Sequence, residues 1–135
     1  MGSSGQVDHV LVFVLHGPES QSFSRVSLSY SEHRPWQVSA AFDAADTSDN
    51  SPAVWVFARD LLTQGLFGQA GHGDVRVRPT GQHIAIEFHD GPDYALITVQ
   101  RAALAQFLDS TYTVVPLGDE SRRMDWHEQL AALLA

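Results

Sequence analysis

His83, Glu87 and His89 fall on one face of a candidate strand, and two neutral imidazoles with a carboxylate can hold zinc or nickel. Arg76 and Arg78 share that face, and their charge opposes a bound cation. Pairing of Glu87 with Arg76 or Arg78 across the sheet accounts for these residues more simply, so no metal is assigned. Arg59-Asp60 is the second constellation. An arginine that follows a buried strand and opens a helix usually pairs with nearby carboxylates or carbonyls, so a structural role is favoured over partner binding. Serines are common, yet none stands in a Gly-x-Ser-x-Gly elbow, which leaves a hydrolase triad without an anchor. The acids fall mostly in turns, as solvated caps. No nucleophile, base and orienter can be assigned together, so the chain reads as a non-enzyme with no catalytic residue and no cofactor.

Composition narrows the classes further. The chain has 135 residues, enough for one domain with a sizeable core. Its net charge is −8, with 16 acids against 8 basic residues, all of them arginine. The absence of lysine excludes Schiff-base chemistry and the phosphate-binding lysine of a P-loop. The absence of cysteine excludes disulfides, thiolate ligands and a thiol nucleophile, and it fits a reducing cytoplasm. Met1 to Gly5 lacks the basic and apolar regions of a signal peptide. Residues 1–6 are expected to be a flexible N-terminus ahead of a single domain over 7–135. The apolar run Val10 to Leu15 falls far short of the about 20 residues that cross a bilayer, so no direct membrane insertion is expected.

The elements that position these residues follow from periodicity. Val7 to His16 is a strand with Val10, Val12 and Val14 on one face and Leu11, Phe13 and Leu15 on the other. Apolar residues on both faces imply a sandwiched position or an inter-subunit contact. Gly17-Pro18-Glu19-Ser20 breaks it. Arg25 to Tyr30 alternates Val26, Leu28 and Tyr30 with serines. Pro35 precedes a strand with Trp36, Val38, Ala40 and Phe42 facing inward. Tyr30 and Trp36 have polar neighbours and are candidates for an interface. Asp43 to Pro52 is a polar loop.

Val54 to Phe57 carries apolar residues on both faces and is expected to be buried on both. Asp60 suits the positive end of the helix that follows, and Gly65 can stop it. With Pro79-Thr80-Gly81-Gln82 as a turn, Arg78 stands opposite His83, Arg76 opposite Ala85, Val77 opposite Ile84 and Val75 opposite Ile86. With Asp90-Gly91-Pro92-Asp93 as the next, Ile86 meets Ile97, Phe88 meets Ala95 and Ile84 meets Val99. Ala103, Leu104, Phe107, Leu108 and Thr111 mark one helix, and Asp125 to Leu134 a last one. Short helices beside about seven strands make an α+β domain.

The block Trp55-Val56-Phe57-Ala58-Arg59-Asp60-Leu61-Leu62, followed by Gly65-Leu66 and then Gly73-Asp74-Val75-Arg76-Val77, resembles the SsgA-like proteins of actinobacteria. Arg101 to Leu104, Phe107-Leu108, Val115-Pro116, Gly118 and the final apolar stretch look like the same family's C-terminal half. The resemblance implies sporulation-specific cell division at septa, and the look is nearest to the member that recruits the tubulin-like GTPase FtsZ. Expected partners are FtsZ and another SsgA-like protein. It also implies two antiparallel β-sheets packed at an angle, with one short helix and two C-terminal helices. That is a Whirly-like single-stranded-DNA-binding fold, assembled as a trimer.

The doubly apolar first strand, through Val10, Val12, Val14, Leu11 and Phe13, is the expected oligomer interface. Asp43, Asp46 and Asp49 with Gly118, Asp119 and Glu120 are the expected partner-binding surface. The alternative is single-strand nucleic-acid binding by the fold itself. That mode needs a basic groove with stacking aromatics, whereas Arg34, Arg76 and Arg78 are the few basic residues able to cluster. Acids outnumber arginines two to one, so nucleic acid is not the leading partner.

Overall fold

The computed structural model describes residues 5–42 and 53–123. Alternating apolar and small polar residues near the N-terminus form two long antiparallel strands, β1 (Gln6–His16) and β2 (Gln21–Ser31), paired along their whole length. β1 begins one residue ahead of the expected domain boundary. β3 (Gln37–Phe42) adds to β2, and β4 (Ala53–Ala58) adds to β3. The chain then turns through α1 (Arg59–Gly65) into the meander β5 (Val75–Thr80), β6 (His83–Asp90) and β7 (Asp93–Gln100). α2 (Arg101–Val114) follows directly, and α3 (Glu120–Arg123) is a single turn. The expected helix from Asp125 to Leu134 lies outside the described residues.

The strands form one seven-stranded antiparallel sheet in the order β4-β3-β2-β1-β7-β6-β5, not two separate sheets. The two halves join at a narrow seam, where only Phe13, Val14 and Leu15 of β1 pair with β7. Beyond the seam the sheet curls until its halves face one another. Trp55 on the outermost strand β4 thereby reaches Phe88 on β6, with ring centroids 4.9 Å apart. Phe42 meets the same ring at 5.6 Å. A packed pair of sheets and a curled single sheet bury the same residues, which is why periodicity alone does not separate them.

Inside the curl, Leu11, Val26, Leu28, Val38, Ala40, Phe57, Ile84, Ile86, Ile97 and Val99 form the core. α2 closes it with Leu104, Phe107 and Leu108, spaced three and four apart as the helical period requires. Tyr30 belongs to this core, with its hydroxyl donating to Pro35 O at 3.0 Å, so it is not an interface residue. Trp36 lies just outside β3 and is half-exposed rather than inward.

The β6–β7 register is the expected one, with Ile86 opposite Ile97, Phe88 opposite Ala95 and Ile84 opposite Val99. The β5–β6 register differs by two residues: Thr80 faces His83, Val77 faces Ile86 and Arg76 faces Glu87. The turn contains only Gly81-Gln82, with Gly81 at φ +64°, the left-handed conformation that two-residue hairpins require. Pro79 remains in β5, which is an edge strand and tolerates a missing N–H. An even shift keeps every side chain on its expected face.

Candidate functional site

β4, expected to be buried on both faces, and β1, expected to be sandwiched or at an inter-subunit contact, each have one face in solvent in the single chain. On β1, Leu11 and Phe13 point into the core, while Val10 and Val12 are 64% and 60% exposed. On β4, Phe57 is buried and Trp55 half-buried, while Val54 and Val56 are 58% and 53% exposed. Leu11 and Phe13 are therefore core residues, inaccessible on the surface of the single chain. The pairing aligns the outward residues in rows. Val10, Ser27, Ala41 and Val54 run straight across four strands, beside Asp8, Ser29, Ser39 and Val56. Val12, the half-buried Val14 and the exposed Phe23 extend the face toward the β1–β2 turn. The outcome is a mixed face of valine, serine and alanine that also carries exposed Arg25 opposite Val12, and on which Ser29 ties down Asp8 at 2.8 Å. Exposed valines gathered on one sheet face mark an interaction site more often than a solvated wall.

The ionisable residues that come together act as structural pairs. Arg59 is 1% exposed and reaches from the start of α1 to the end of α2. It donates to Val115 O at 2.9 Å, to Thr111 O at 3.2 Å and to Glu120 Oε2 at 3.0 Å. Its guanidinium lies between Tyr112 and Tyr30, 4.0 and 4.8 Å from their centroids. A cation satisfies the last carbonyls of α2 and complements the negative end of the helix. The structural role expected of Arg59 is the one it has. Glu120, expected to bind a partner, is instead buried as its counter-ion, and Gly118 N–H donates to the other carboxylate oxygen at 2.8 Å. Gly118, at φ +92°, forms the turn between α2 and α3, and Asp119 beside it is half-buried. Exposed Leu117 tops that turn. Asp43, Asp46 and Asp49 lie outside the described residues.

Desolvation pushes the Glu120 carboxyl up, but hydrogen bonds from its own N–H, Arg59 and Gly118, with the charge of Arg59, leave it below the usual carboxylate range. Glu87 is balanced the same way. Burial raises it, while its bonds to Arg78 and His89 and their charges bring it down. Arg78 and Glu87 form the cross-strand ion pair expected of this face, and His89 Nε2 stands 3.4 Å from Glu87. His83 is exposed at the far end of the same strand.

Carboxylates depressed in the folded state contribute stability above their unfolded pKa, and that stability is lost as pH falls through the folded value. The urea midpoint is therefore expected to hold from neutrality to about pH 5 and to fall below about pH 4. Glu120→Gln should lower the neutral plateau and make the acid slope shallower. An unchanged slope would show that the pair does not govern acid stability.

Residues 25–120 match the profile of the family described as Streptomyces sporulation and cell division protein, SsgA. The chain is 37% identical over 136 residues to the sporulation-specific cell division protein SsgB of Saccharopolyspora erythraea, covering 94% of each. It is 38% identical over 112 residues to SsgB of Streptomyces coelicolor, covering 80% of each. A solved SsgA-like sporulation-specific cell division protein from Thermobifida fusca superposes with a TM-score of 0.83 at 33% identity, over 98% of both chains.

Proposed function

Because this chain belongs to the SsgA family of sporulation and cell division proteins, we propose that it works as a non-enzymatic adaptor. In this reading it positions FtsZ, or a related septation protein, at division septa in the cytoplasm. The observation that carries the reading is the outward face of β1 to β4. Val10, Val12, Val54 and Val56 stand in solvent on a rigid sheet, which suits protein contact rather than substrate chemistry. We assign this face to self-association, as a symmetric trimer in keeping with the Whirly-like fold that the family resemblance implies. An assembly that repeats one partner site gains avidity along a polymer without any new contact.

Among the described residues no helix is long and apolar enough to cross a membrane. The single-strand nucleic-acid alternative finds little support, because several arginines are already engaged. Arg59 is buried, Arg78 is paired with Glu87, and Arg101 donates to Leu66 O.

Co-sedimentation with GTP-assembled FtsZ from the same organism, at two salt concentrations, tests the recruitment. Pelleting that depends on GTP is expected. Its absence would withdraw direct recruitment and leave an adaptor that needs a second protein. The face itself is tested by Val10→Glu with Val54→Glu, both exposed and so compatible with folding. Sedimentation velocity should shift to the monomer, and an unchanged assembly would remove this face from the reading.

A further inference from the structure

At the end of the curl near the β6–β7 turn, the two sheet halves stay apart around a cleft of about 360 Å³. That volume is at the lower end of the about 300–1,000 Å³ typical of ligand pockets. Phe13 and Phe88, both buried, and the half-buried Phe42 and Trp55 line it. The rings are fixed by edge-on contacts: Phe13 to Phe42 at 5.3 Å and Phe42 to Phe88 at 5.6 Å. At the rim stand Tyr94, 56% exposed, and the carboxylates Asp90 and Asp93. No described residue lining the cleft is basic.

The two-residue turn at Gly91-Pro92 places Asp90 directly opposite Asp93. Like charges in that relation are destabilising. Neither carboxylate takes part in an ion pair among the described residues. A cation seated at this rim relieves their repulsion. The aromatic walls attract a cation through the faces of their rings. Arginine fits the combination better than lysine, because its planar guanidinium is weakly hydrated, stacks on aromatic rings and pairs with carboxylates by a fork of donors. The apolar part of the lining, Phe13, Phe42, Trp55, Phe88 and Ile97, suits an aliphatic or aromatic neighbour of that arginine.

We propose that this cleft is a docking site for a peptide segment of a protein partner that carries an arginine beside an apolar side chain. The chain's net charge of −8 favours approach of such a basic segment. The inference goes beyond recruitment of any one division protein, since it concerns the chemistry recognised and not the partner's identity.

The test is a 1H–15N NMR titration of the full chain with the synthetic peptide Gly-Ser-Leu-Arg-Phe-Ser-Gly. A second peptide, with citrulline in place of arginine, keeps the shape and removes the charge. Millimolar arginine peptide should shift the Trp55 indole N–H and the amides of Phe88, Asp93 and Tyr94. The citrulline peptide should bind about tenfold more weakly. The Asp90→Asn, Asp93→Asn double variant, altered only at exposed positions, should show a similar loss while keeping the native spectrum. Equal affinity for the two peptides, shifts centred elsewhere, or no shift at millimolar peptide would each overturn the proposal. None of these outcomes depends on whether FtsZ binds.

Discussion

Replacing Arg59 by Met is expected to destabilise the fold by about 3–5 kcal/mol, the range for removing one partner of a buried ion pair. For a chain of this size that corresponds to a fall in Tm of roughly 10–20 °C. Met reproduces the aliphatic stem but not the guanidinium, so the contact with the faces of Tyr30 and Tyr112 is lost as well. The charge and its donors go too, which leaves Glu120 buried beside no cation and Val115 O without its donor, while Thr111 O keeps the Val115 N–H at 2.9 Å. Glu120→Gln should cost less, about 2 kcal/mol, because Arg59 keeps its carbonyls and both rings. Combined, the two substitutions should cost clearly less than their sum, since each removes the other's unpaired charge. Urea unfolding of the four proteins measures this directly. A loss under about 1 kcal/mol for Arg59→Met would mean that the arginine does not hold α1, α2 and the Leu117 turn together.

The second large effect runs against simple propensity. Gly65 ends α1, where alanine ordinarily stabilises a helix by about 1 kcal/mol. Here a Cβ would stand 2.1 Å from Val77 Cγ1 and 2.7 Å from Val77 Cβ. Val77 is fully buried in β5, so one of the two elements must move. Overpacking wins, and Gly65→Ala should lose about 2–3 kcal/mol. In a Val77→Ala background the 2.1 Å contact is removed while the Cβ at position 77 still stands 2.7 Å away, so the same change should cost about 1 kcal/mol less without becoming neutral. Equal cost in both backgrounds would place the origin in the backbone and not in the contact with Val77. This glycine was readable as a helix stop from its position alone. Its helical conformation and the strand pressed against it mark it as a site of close approach.

Legibility followed locality. The β6–β7 register was readable because a two-residue turn and a strict alternation leave one consistent pairing. One hairpin earlier, Pro79 reads as a turn residue but stays in β5, so the register differs by two while the faces agree. β1 and β4 show a different limit. A period-two pattern reports that both faces are apolar, but not whether a second layer covers both. Val10 and Val54 are apolar and exposed, so among the described residues no second layer covers their face. At the Arg59 site the arginine's structural role was legible from its place between strand and helix. Its counter-ion was not, because Glu120 lies 61 residues further on and no periodicity links the two. The cleft was missed altogether. Its rings come from β1, β3, β4, β6 and β7, and only the curl of the sheet gathers them.

The narrow seam between β1 and β7 sets an order on biosynthesis. His16 bonds to Thr98, 82 residues later in the chain, at 2.9 Å beside that seam. A ribosome needs on the order of ten seconds to make the intervening chain. Through that interval the β1–β2 hairpin has already emerged, with one long edge and its valine face unmatched. The waiting edge is that of β1, since β3 covers β2 long before β7 is made. Asp8, charged and exposed on that strand, works against pairing with the hairpin that emerges from the next ribosome.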